Sequence, residues 1–457
     1  MRSQDPFFRR YSNQGRSSTK WKRLLGIILG LIVLSIFAIL VYKIPFVNDH
    51  LAWRVDEWRT RLIYFLNPPE EAAFVPQEAQ NLAASATALA LQTTRTPLAP
   101  TSTEQPTRLP LPNSVKLENF TYVDQHGRWN YCGPANLTMA LNYWGWQVTR
   151  DDVAAYVKPG IGNVPNSPED KNVMPYELED FVETQTEGMQ AVVRIGGELE
   201  TLKQLVAAGF PAMVEKGYYT TGASGNYAWL GHYQFVTGYD DGADVFIVQD
   251  TYQTGGENGT GKNMTWPYAD FETAWRAFDF LFLVVYPENQ QDALVQALGP
   301  WADEEWANRH ALERAMEDGE TLTGVDQFYA WFNIGSSHVR LFEYVDAAFA
   351  YDYAFQLYAA LPEDDSVRPY RMLWYQTGPY WAYYYSGRYQ DVINLANTTL
   401  YDTIAEPTLE ESIYWRGLAF EALGQIDNAI ADYREAVRLN PNFVPGWAQL
   451  QRLGLSG

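Results

Sequence analysis

The one cysteine of this chain, Cys132, lies in the sequence NYCGPA, directly before an apolar run that predicts a helix over residues 134–144. The amino terminus of a helix carries a partial positive charge, which favours a thiolate over a thiol. Pro134 suits the first turn of a helix, and Gly133 lets the backbone come close to whatever the sulfur contacts. This arrangement is typical of a nucleophilic cysteine, whereas composition alone would favour a buried, inert thiol.

A nucleophilic thiol needs a base, and the base needs a group that orients it. His232 begins one predicted strand and Asp250 ends the next, with the turn sequence DDGAD between the two strands. If the turn is centred near residue 241, a tight hairpin places His232 opposite Asp250, with Cβ atoms about 5 Å apart. A slip of one residue would put the two side chains on opposite faces of the sheet. Asp240 and Asp241 are alternative carboxylates, but we expect solvent around them in the turn.

The oxyanion formed during acyl transfer needs hydrogen-bond donors, such as a side-chain amide and the N–H group of the nucleophile. Gln125 lies seven residues before Cys132, and its amide donates without titrating. The neighbouring His126 is the alternative donor, and we expect it to be a loop residue. Gln125 is therefore the predicted oxyanion donor.

These residues lie in a segment, residues 114–290, whose pattern predicts a mixed α/β domain. A second helix is predicted over residues 198–208, because its leucines share one face. Short apolar runs bounded by turn residues predict strands. The predicted strands cover residues 212–214, 234–238, 245–250 and 280–286.

This segment resembles the papain-like cysteine peptidases of the bacteriocin-processing, double-glycine type, and more specifically their stand-alone bacterial relatives. The resemblance covers about residues 115–290 and rests on NYCGPA with an upstream glutamine, on GHYQFVTGY, and on an aspartate 18 residues after His232. It implies an α+β papain-like domain in which the helix that carries the cysteine packs on an antiparallel sheet. In this family pattern Cys132 is the nucleophile and His232 the general base. Asp250 orients the base and Gln125 donates to the oxyanion, although the glutamine precedes the cysteine by seven positions here and by six in the family pattern.

Residues 24–42 form an uncharged apolar run of 19 residues, about 28 Å long as a helix, which is enough to cross a bilayer core of about 30 Å. Seven basic residues and one acidic residue precede it, so residues 1–23 are predicted to be cytoplasmic and the remainder extracytoplasmic. The alternative is a cleaved signal peptide, but its apolar core is usually about 7–15 residues long and is followed by a small-residue cleavage site. We predict an uncleaved, single-pass anchor in a bacterial cell membrane.

Two segments connect this anchor to the predicted domain. Residues 43–74 predict a juxtamembrane helix, because their large apolar residues recur at steps of three and four. This helix could be a short oligomerising stalk or could lie near the membrane. Residues 75–113 are rich in Ala, Thr, Gln and Pro and predict a disordered linker, with a helix over residues 78–92 as the alternative.

From residue 291 to residue 457 the pattern is helical, and two stretches match a 34-residue helix-turn-helix repeat. Gly335 precedes Ala347 by 12 residues, and Gly417 precedes Ala429 by the same step. The pattern resembles tetratricopeptide repeats, is degraded over residues 370–403, and ends in a predicted capping helix. Such repeats imply a protein partner or a recruited substrate. The aromatic residues between the two stretches are predicted to pack between helices, with an exposed peptide- or sugar-stacking surface as a minor alternative.

The charge, apolar fraction and cysteine count of the chain exclude several classes of protein and of site. The chain has 33 basic and 55 acidic residues, a net charge of −22, and an acidic body of this size repels the phosphates of nucleic acids. The apolar fraction of 47% excludes a mainly disordered chain. One cysteine excludes an intrachain disulfide and a cysteine-based zinc site, and the acidic turn lacks the ligand spacing of a calcium loop, so no cofactor or metal is predicted.

The sequence therefore predicts a membrane-anchored, extracytoplasmic cysteine peptidase that cleaves peptide bonds through a thioester acyl-enzyme. Two alternatives stay open. The papain-like domain could be a catalytically silent module of a membrane-tethered, protein-binding scaffold. It could also be a transglutaminase-type acyl transferase, because hydrolysis and amide transfer share the same thioester intermediate.

Overall fold

The chain divides into two units, Met1–Val55 and Asp56–Gly457, which are described separately. The computed structural model describes residues 18–44, 74–76, 111–128, 130–159, 171–221, 227–363, 367–402 and 408–455, with Val47, Trp58 and Leu62. The predicted juxtamembrane helix of residues 43–74 and the predicted linker of residues 75–113 lie largely outside the described residues. Both assignments therefore stay predictions.

The first unit contains helix α1, Ser18–Tyr42, which begins six residues before the predicted apolar run. Its segment Leu25–Tyr42 is long and apolar enough to cross a membrane, and none of that segment is buried in the protein. A signal sequence near an amino terminus also meets this criterion, and the single-pass anchor stays a prediction.

An antiparallel sheet of seven strands lies at the centre of the second unit, within its described residues. The strands are β1 Ser114–Lys116, β2 Met189–Arg194, β3 Ala212–Thr221, β4 Tyr227–Asp240, β5 Val245–Asp250, β6 Met264–Pro267 and β7 Phe282–Pro287. The strand order is β2-β7-β3-β4-β5-β6, and β1 pairs with the end of β4. This confirms the predicted antiparallel sheet.

Helices cover both faces of the sheet because successive side chains of a strand point to opposite sides. These helices are α2 Cys132–Tyr143, α3 Arg150–Val157, α4 Pro175–Gln185, α5 Leu199–Ala207, α6 Tyr268–Arg276 and α7 Gln291–Leu298. Met213 packs in the apolar core that also contains α2, whereas its neighbours Ala212 and Val214 pack in the core that contains α5 and α6. The helix that carries Cys132 therefore packs on the sheet, as predicted.

The remainder of the second unit is a helical repeat region, which confirms the predicted fold class. Its helices are α8 Glu304–Thr321, α9 Gly324–Arg340, α10 Tyr344–Ala360, α11 Gly378–Tyr385, α12 Tyr389–Asn397, α13 Glu410–Ala422, α14 Ile426–Leu439 and α15 Val444–Arg452. A Cβ atom on Gly335 would lie 2.7 Å from the ring of Tyr351, and one on Gly417 would lie 2.9 Å from the ring of Tyr433. The two glycines thus let an aromatic ring of the following helix pack against the backbone.

The helical region packs directly against the sheet beside His232. A Cβ atom on Gly231 would lie 2.9 Å from the ring of Tyr375, so this close packing requires glycine. Nearby, the side-chain Nδ2 of Asn172 donates to the backbone oxygen of Trp374 at 3.0 Å. The predicted domain boundary after residue 290 stays a prediction, because residues on both sides of it belong to one unit.

A buried cluster of charges joins the same two regions. Lys171 donates to Glu177 at the start of α4 and also pairs with Glu410 at the start of α13. All three side chains are buried, and Nδ2 of Asn440 donates to Oε1 of Glu410 at 2.9 Å. Burial and the negative charge of Glu410 outweigh the attraction of Lys171 and raise the pKa of Glu177 to about 7. One ammonium group therefore compensates two buried carboxyl groups.

We predict that Lys171→Met lowers the free energy of unfolding by about 3–5 kcal/mol at pH 8, because it leaves two buried carboxylates without a cation. The loss of folding free energy should be smaller at pH 5. A carboxyl group whose pKa is raised in the folded state destabilises the fold as the pH increases and the group ionises. Urea unfolding at both pH values measures this. Lys116→Met, which removes an exposed ion pair with Glu118, is the control and should change stability by less than about 1 kcal/mol. A loss that does not depend on pH would contradict the assignment.

Candidate active site

Cys132 is the first residue of helix α2, as the sequence predicted. Tyr131, at the N-cap position, provides no side-chain acceptor, so the first-turn N–H groups of the helix are not capped by it. Burial alone would raise the pKa of Cys132, but the hydrogen bond and charge of His232, with the N–H groups of Tyr233 and Gly133, lower that pKa below its ordinary value. Cys132 as a whole residue is partly exposed.

His232 lies on β4 between the thiol and a carboxylate. Its Nε2 lies 3.0 Å from Oδ1 of Asp250, and its side chain is also hydrogen-bonded to Cys132. Because Nε2 contacts the carboxylate, Nδ1 is the ring nitrogen that remains for the sulfur. Burial disfavours the imidazolium, but the charge and hydrogen bond of Asp250 and the contact with Cys132 outweigh burial and raise the pKa of His232 to about 10.

The register of the hairpin differs from the predicted one by two residues. Asp250 pairs with Gln234 rather than with His232, and the ladder shifts between Val236 and Gly238. The bulge and the longer turn account for the difference. A shift of two residues leaves side chains on the same face of the sheet, so the diagonal neighbours His232 and Asp250 still meet.

Asp250 is completely buried and accepts hydrogen bonds on both carboxylate oxygens. The backbone N–H groups of Tyr252 and Gln253 donate to Oδ1 at 2.9 Å and 2.8 Å, and Nε2 of Gln234 donates to Oδ2. Burial would raise the pKa of Asp250, but the charge of His232 and these donors hold it well below its usual range. The carboxylate is therefore ionised at neutral pH.

Sequence reasoning missed Asn136 as a site residue. Its Nδ2 donates to the backbone oxygen of Cys132 at 2.8 Å and to that of Tyr233 at 3.0 Å, so one amide ties the start of α2 to the strand of His232. Asn136 is fully buried. It lies four residues after the cysteine on a helix, and Gln234 lies two residues after His232 on a strand. These spacings place Asn136 on the same helix face as Cys132 and Gln234 on the same sheet face as His232. They are the sequence signal that would have identified both residues.

Gln125 is buried and is held beside Asp250 by Thr251. Its backbone N–H donates to the oxygen of Thr251 at 2.8 Å, and the hydroxyl of Thr251 donates to its Oε1 at 2.8 Å. The acceptor end of the amide is therefore occupied, and Nε2 is the end that can donate to another group. The neighbouring His126 instead uses its backbone N–H to contact Asp124 at 3.0 Å.

The alternative carboxylates of the turn have other partners. Asp240 accepts from the backbone N–H of Gly242 at 2.9 Å, and Asp241 pairs with Lys203 at 2.6 Å. Both carboxylates therefore have partners in or near the turn.

Two buried ionisable side chains flank the site and were also missed. Lys216 on β3 lies opposite His232 on β4 in the strand register. Burial lowers the pKa of Lys216 well below its usual range, despite the attraction of Asp250. Burial, followed by the charge of Cys132, raises the pKa of Glu215 well above its ordinary value. Burial thus disfavours the charged form of both side chains.

Another group of side chains has the composition of a metal site. The ligand atoms of His338, Glu343 and Asp346, on α9 and at the start of α10, lie within 4.8 Å of one another. His338 Nδ1 lies 2.6 Å from Oε2 of Glu343, and this hydrogen bond accounts for the pair without an ion.

Comparison with known families agrees with this arrangement. Residues 117–281 match the model of the Peptidase_C39 like family. The chain carries a Peptidase_C39-like domain. The matched segment includes Gln125, Cys132, Asn136, His232 and Asp250, and the match confirms the predicted resemblance. The model of the tetratricopeptide repeat matches residues 411–443, which cover α13 and α14 after the Peptidase_C39-like domain. A comparison with the curated proteins found no match.

We predict that Asn136→Leu slows alkylation of Cys132 at pH 6 by about tenfold, which corresponds to about 1.4 kcal/mol, because the helix start is no longer tied to the strand of His232. The rate of reaction with iodoacetamide measures this. Asn333→Leu is the matched control, since Asn333 is also buried and donates to a backbone oxygen, that of Arg276, at 2.7 Å. It should reduce stability without changing the rate. Equal rates in both variants would contradict a positioning role for Asn136.

We predict that Asp250→Asn raises the pH at which Cys132 becomes reactive by at least about one unit, because the amide removes the charge that holds His232 protonated. The pH dependence of alkylation between pH 4 and pH 11 measures this. With Asp250 present, the thiolate–imidazolium pair should persist until His232 loses its proton near pH 10. Asp240→Asn, in the turn, is the control and should leave the profile unchanged. An unshifted profile for Asp250→Asn would show that this carboxylate does not set the charge of the imidazole.

Proposed function

We propose that this protein is a cysteine peptidase in which Cys132 is the nucleophile, His232 the general base and Asp250 the residue that orients the base. The observation that carries the proposal is the chain of contacts from the Cys132 thiol to His232 and from Nε2 of His232 to Asp250 at 3.0 Å. A buried structural thiol needs no hydrogen-bonded imidazole, and an isolated imidazole needs no buried carboxylate. The Peptidase_C39-like match supports the same reaction class.

In the proposed reaction, Nδ1 of His232 takes the proton of the Cys132 thiol, and the thiolate attacks the carbonyl carbon of a peptide bond. The oxyanion receives hydrogen bonds from the N–H group of Cys132 and from Nε2 of Gln125. As the tetrahedral intermediate collapses, the C–N bond breaks and the imidazolium gives its proton to the leaving amine. Water, deprotonated by His232, then attacks the thioester and releases a carboxylate product and the thiol.

The proposed location is outside the cytoplasm at a bacterial membrane. Helix α1 would be the anchor, and the basic residues before it would keep the amino terminus in the cytoplasm. The helical repeat region would bind a protein substrate or partner, as tetratricopeptide repeats commonly present a surface for protein chains. A peptide or protein is the expected substrate in either case.

We predict that the purified full-length protein generates new amino termini in a mixture of denatured proteins, and that Cys132→Ser and His232→Ala abolish them. Mass spectrometry after amino-terminal labelling detects the cleavage sites. Gln125→Ala should retain residual activity, reduced about 10²–10³-fold, because one of two oxyanion donors is lost. Gln147→Ala, which changes an exposed amide outside the site, serves as the control.

The same experiment separates the alternatives when an added primary amine is present. Products that carry the amine, without new amino termini, would identify an acyl transferase. Absence of any product, together with unchanged iodoacetamide reactivity of Cys132 in His232→Ala, would indicate a catalytically silent module.

A further inference from the structure

Residues 74–76, which span the start of the predicted linker, lie against the protein. Phe74 is 5% exposed and Pro76 is also buried, whereas Val75 between them is 40% exposed. Alternating burial is typical of an extended segment that inserts every second side chain into a groove. Residues 74–76 thus have the form of a bound peptide rather than of a free tether.

The groove belongs to the helical repeat region. The ring centroid of Phe74 lies 5.0 Å from that of Phe355 on α10, with an interplanar angle of 84°. It lies 6.2 Å from that of Tyr383 on α11. Edge-to-face packing at these distances is a favourable aromatic arrangement. Phe74 also forms part of the apolar core that contains both of these residues.

The floor of the groove is held by contacts that do not involve Phe74. The hydroxyl of Tyr383 donates to Oδ1 of the buried Asp352 at 3.0 Å. Arg388 donates to both oxygens of Asp352 at 2.7 Å and 2.9 Å. This network holds Tyr383 in place by contacts that are separate from its packing against Phe74.

We propose that the groove between α10 and α11 is a binding site for an extended aromatic-x-proline segment, and that residues 74–76 of the same chain occupy it. The helical region thereby holds the connection to the amino-terminal helix. This inference is independent of the proposed catalysis, since none of the residues involved contacts the thiol, the imidazole or the carboxylate of the site.

The docked segment changes which residues act as the tether. At the end of the predicted linker, the backbone oxygen of Asn113 accepts from the N–H group of Asp241 at 2.9 Å, and that of Pro112 accepts from the hydroxyl of Tyr239 at 2.8 Å. The described residues on either side of 77–110 therefore both contact the same unit. The connection between Tyr42, the end of α1, and the body is then 31 residues, residues 43–73, rather than the 68 residues of 43–110. A protein partner of the repeats must use another face or displace the segment.

The test uses the full-length protein in detergent with a spin label on Val75→Cys in a Cys132→Ser chain, so that catalysis plays no part. We expect a label with restricted motion, and we expect Phe74→Ala to make it severalfold more mobile. Leu62→Ala, which changes an exposed side chain of the preceding segment, is the matched control and should leave the motion unchanged. A label that is already freely mobile with Phe74 present, or that is unaffected by Phe74→Ala, would overturn the proposal.

A second measurement identifies the occupant. A fluorescent peptide of residues 68–80 should bind the Phe74→Ala chain at least tenfold more tightly than the parent chain, whose groove is filled, and the same peptide with alanine at position 74 should bind neither. Equal binding to both chains, or no binding to Phe74→Ala, would contradict the groove assignment. A parent protein that is a dimer and becomes a monomer on Phe74→Ala would show that the segment comes from a second copy, which overturns occupation by the same chain.

Discussion

The carboxylate of Asp250 is the group on which the arrangement of the site depends. A fully buried negative charge is stable only if hydrogen-bond donors and a cation replace the water it has lost. The turn after β5 supplies two backbone N–H groups, β4 supplies the amide of Gln234, and His232 supplies the positive charge. The same contacts that stabilise the carboxylate therefore fix the position and charge of the imidazole that faces Cys132.

The backbone around Asp250 is closely packed. A Cβ atom on Gly261 would lie 1.8 Å from the backbone oxygen of Asp250, which also accepts from the hydroxyl of Tyr122 at 2.8 Å. On the other side, Asn136 ties the start of α2 to β4. The helical repeat region completes the enclosure at Gly231, against which Tyr375 packs. The geometry of three reactive side chains thus rests on contacts from several distant parts of the chain.

Much of the fold and of the candidate site could be predicted from local sequence patterns. The predicted helix over residues 134–144 is present as Cys132–Tyr143, and it begins two residues earlier, at the cysteine itself. Alternating apolar residues on either side of DDGAD form the predicted hairpin, and glycine and aromatic spacing indicated the helical repeats. The register was displaced by two residues because a bulge and turn length depend on packing that no local pattern records. The pairing of His232 with Asp250 survived because an even shift preserves the face.

Residue identity and periodicity thus specified the cysteine, histidine and aspartate of the candidate site, their order, and the helix and strands that carry them. Helix and strand preferences depend on near neighbours, which the sequence shows directly. The long-range contacts had no such signature. Asn136 bonded to Tyr233, Lys171 paired with Glu410, and Phe74 packed on Phe355 each join residues separated by about a hundred positions or more. Such contacts follow from how whole elements pack, because burial and hydrogen-bond satisfaction are properties of the folded chain.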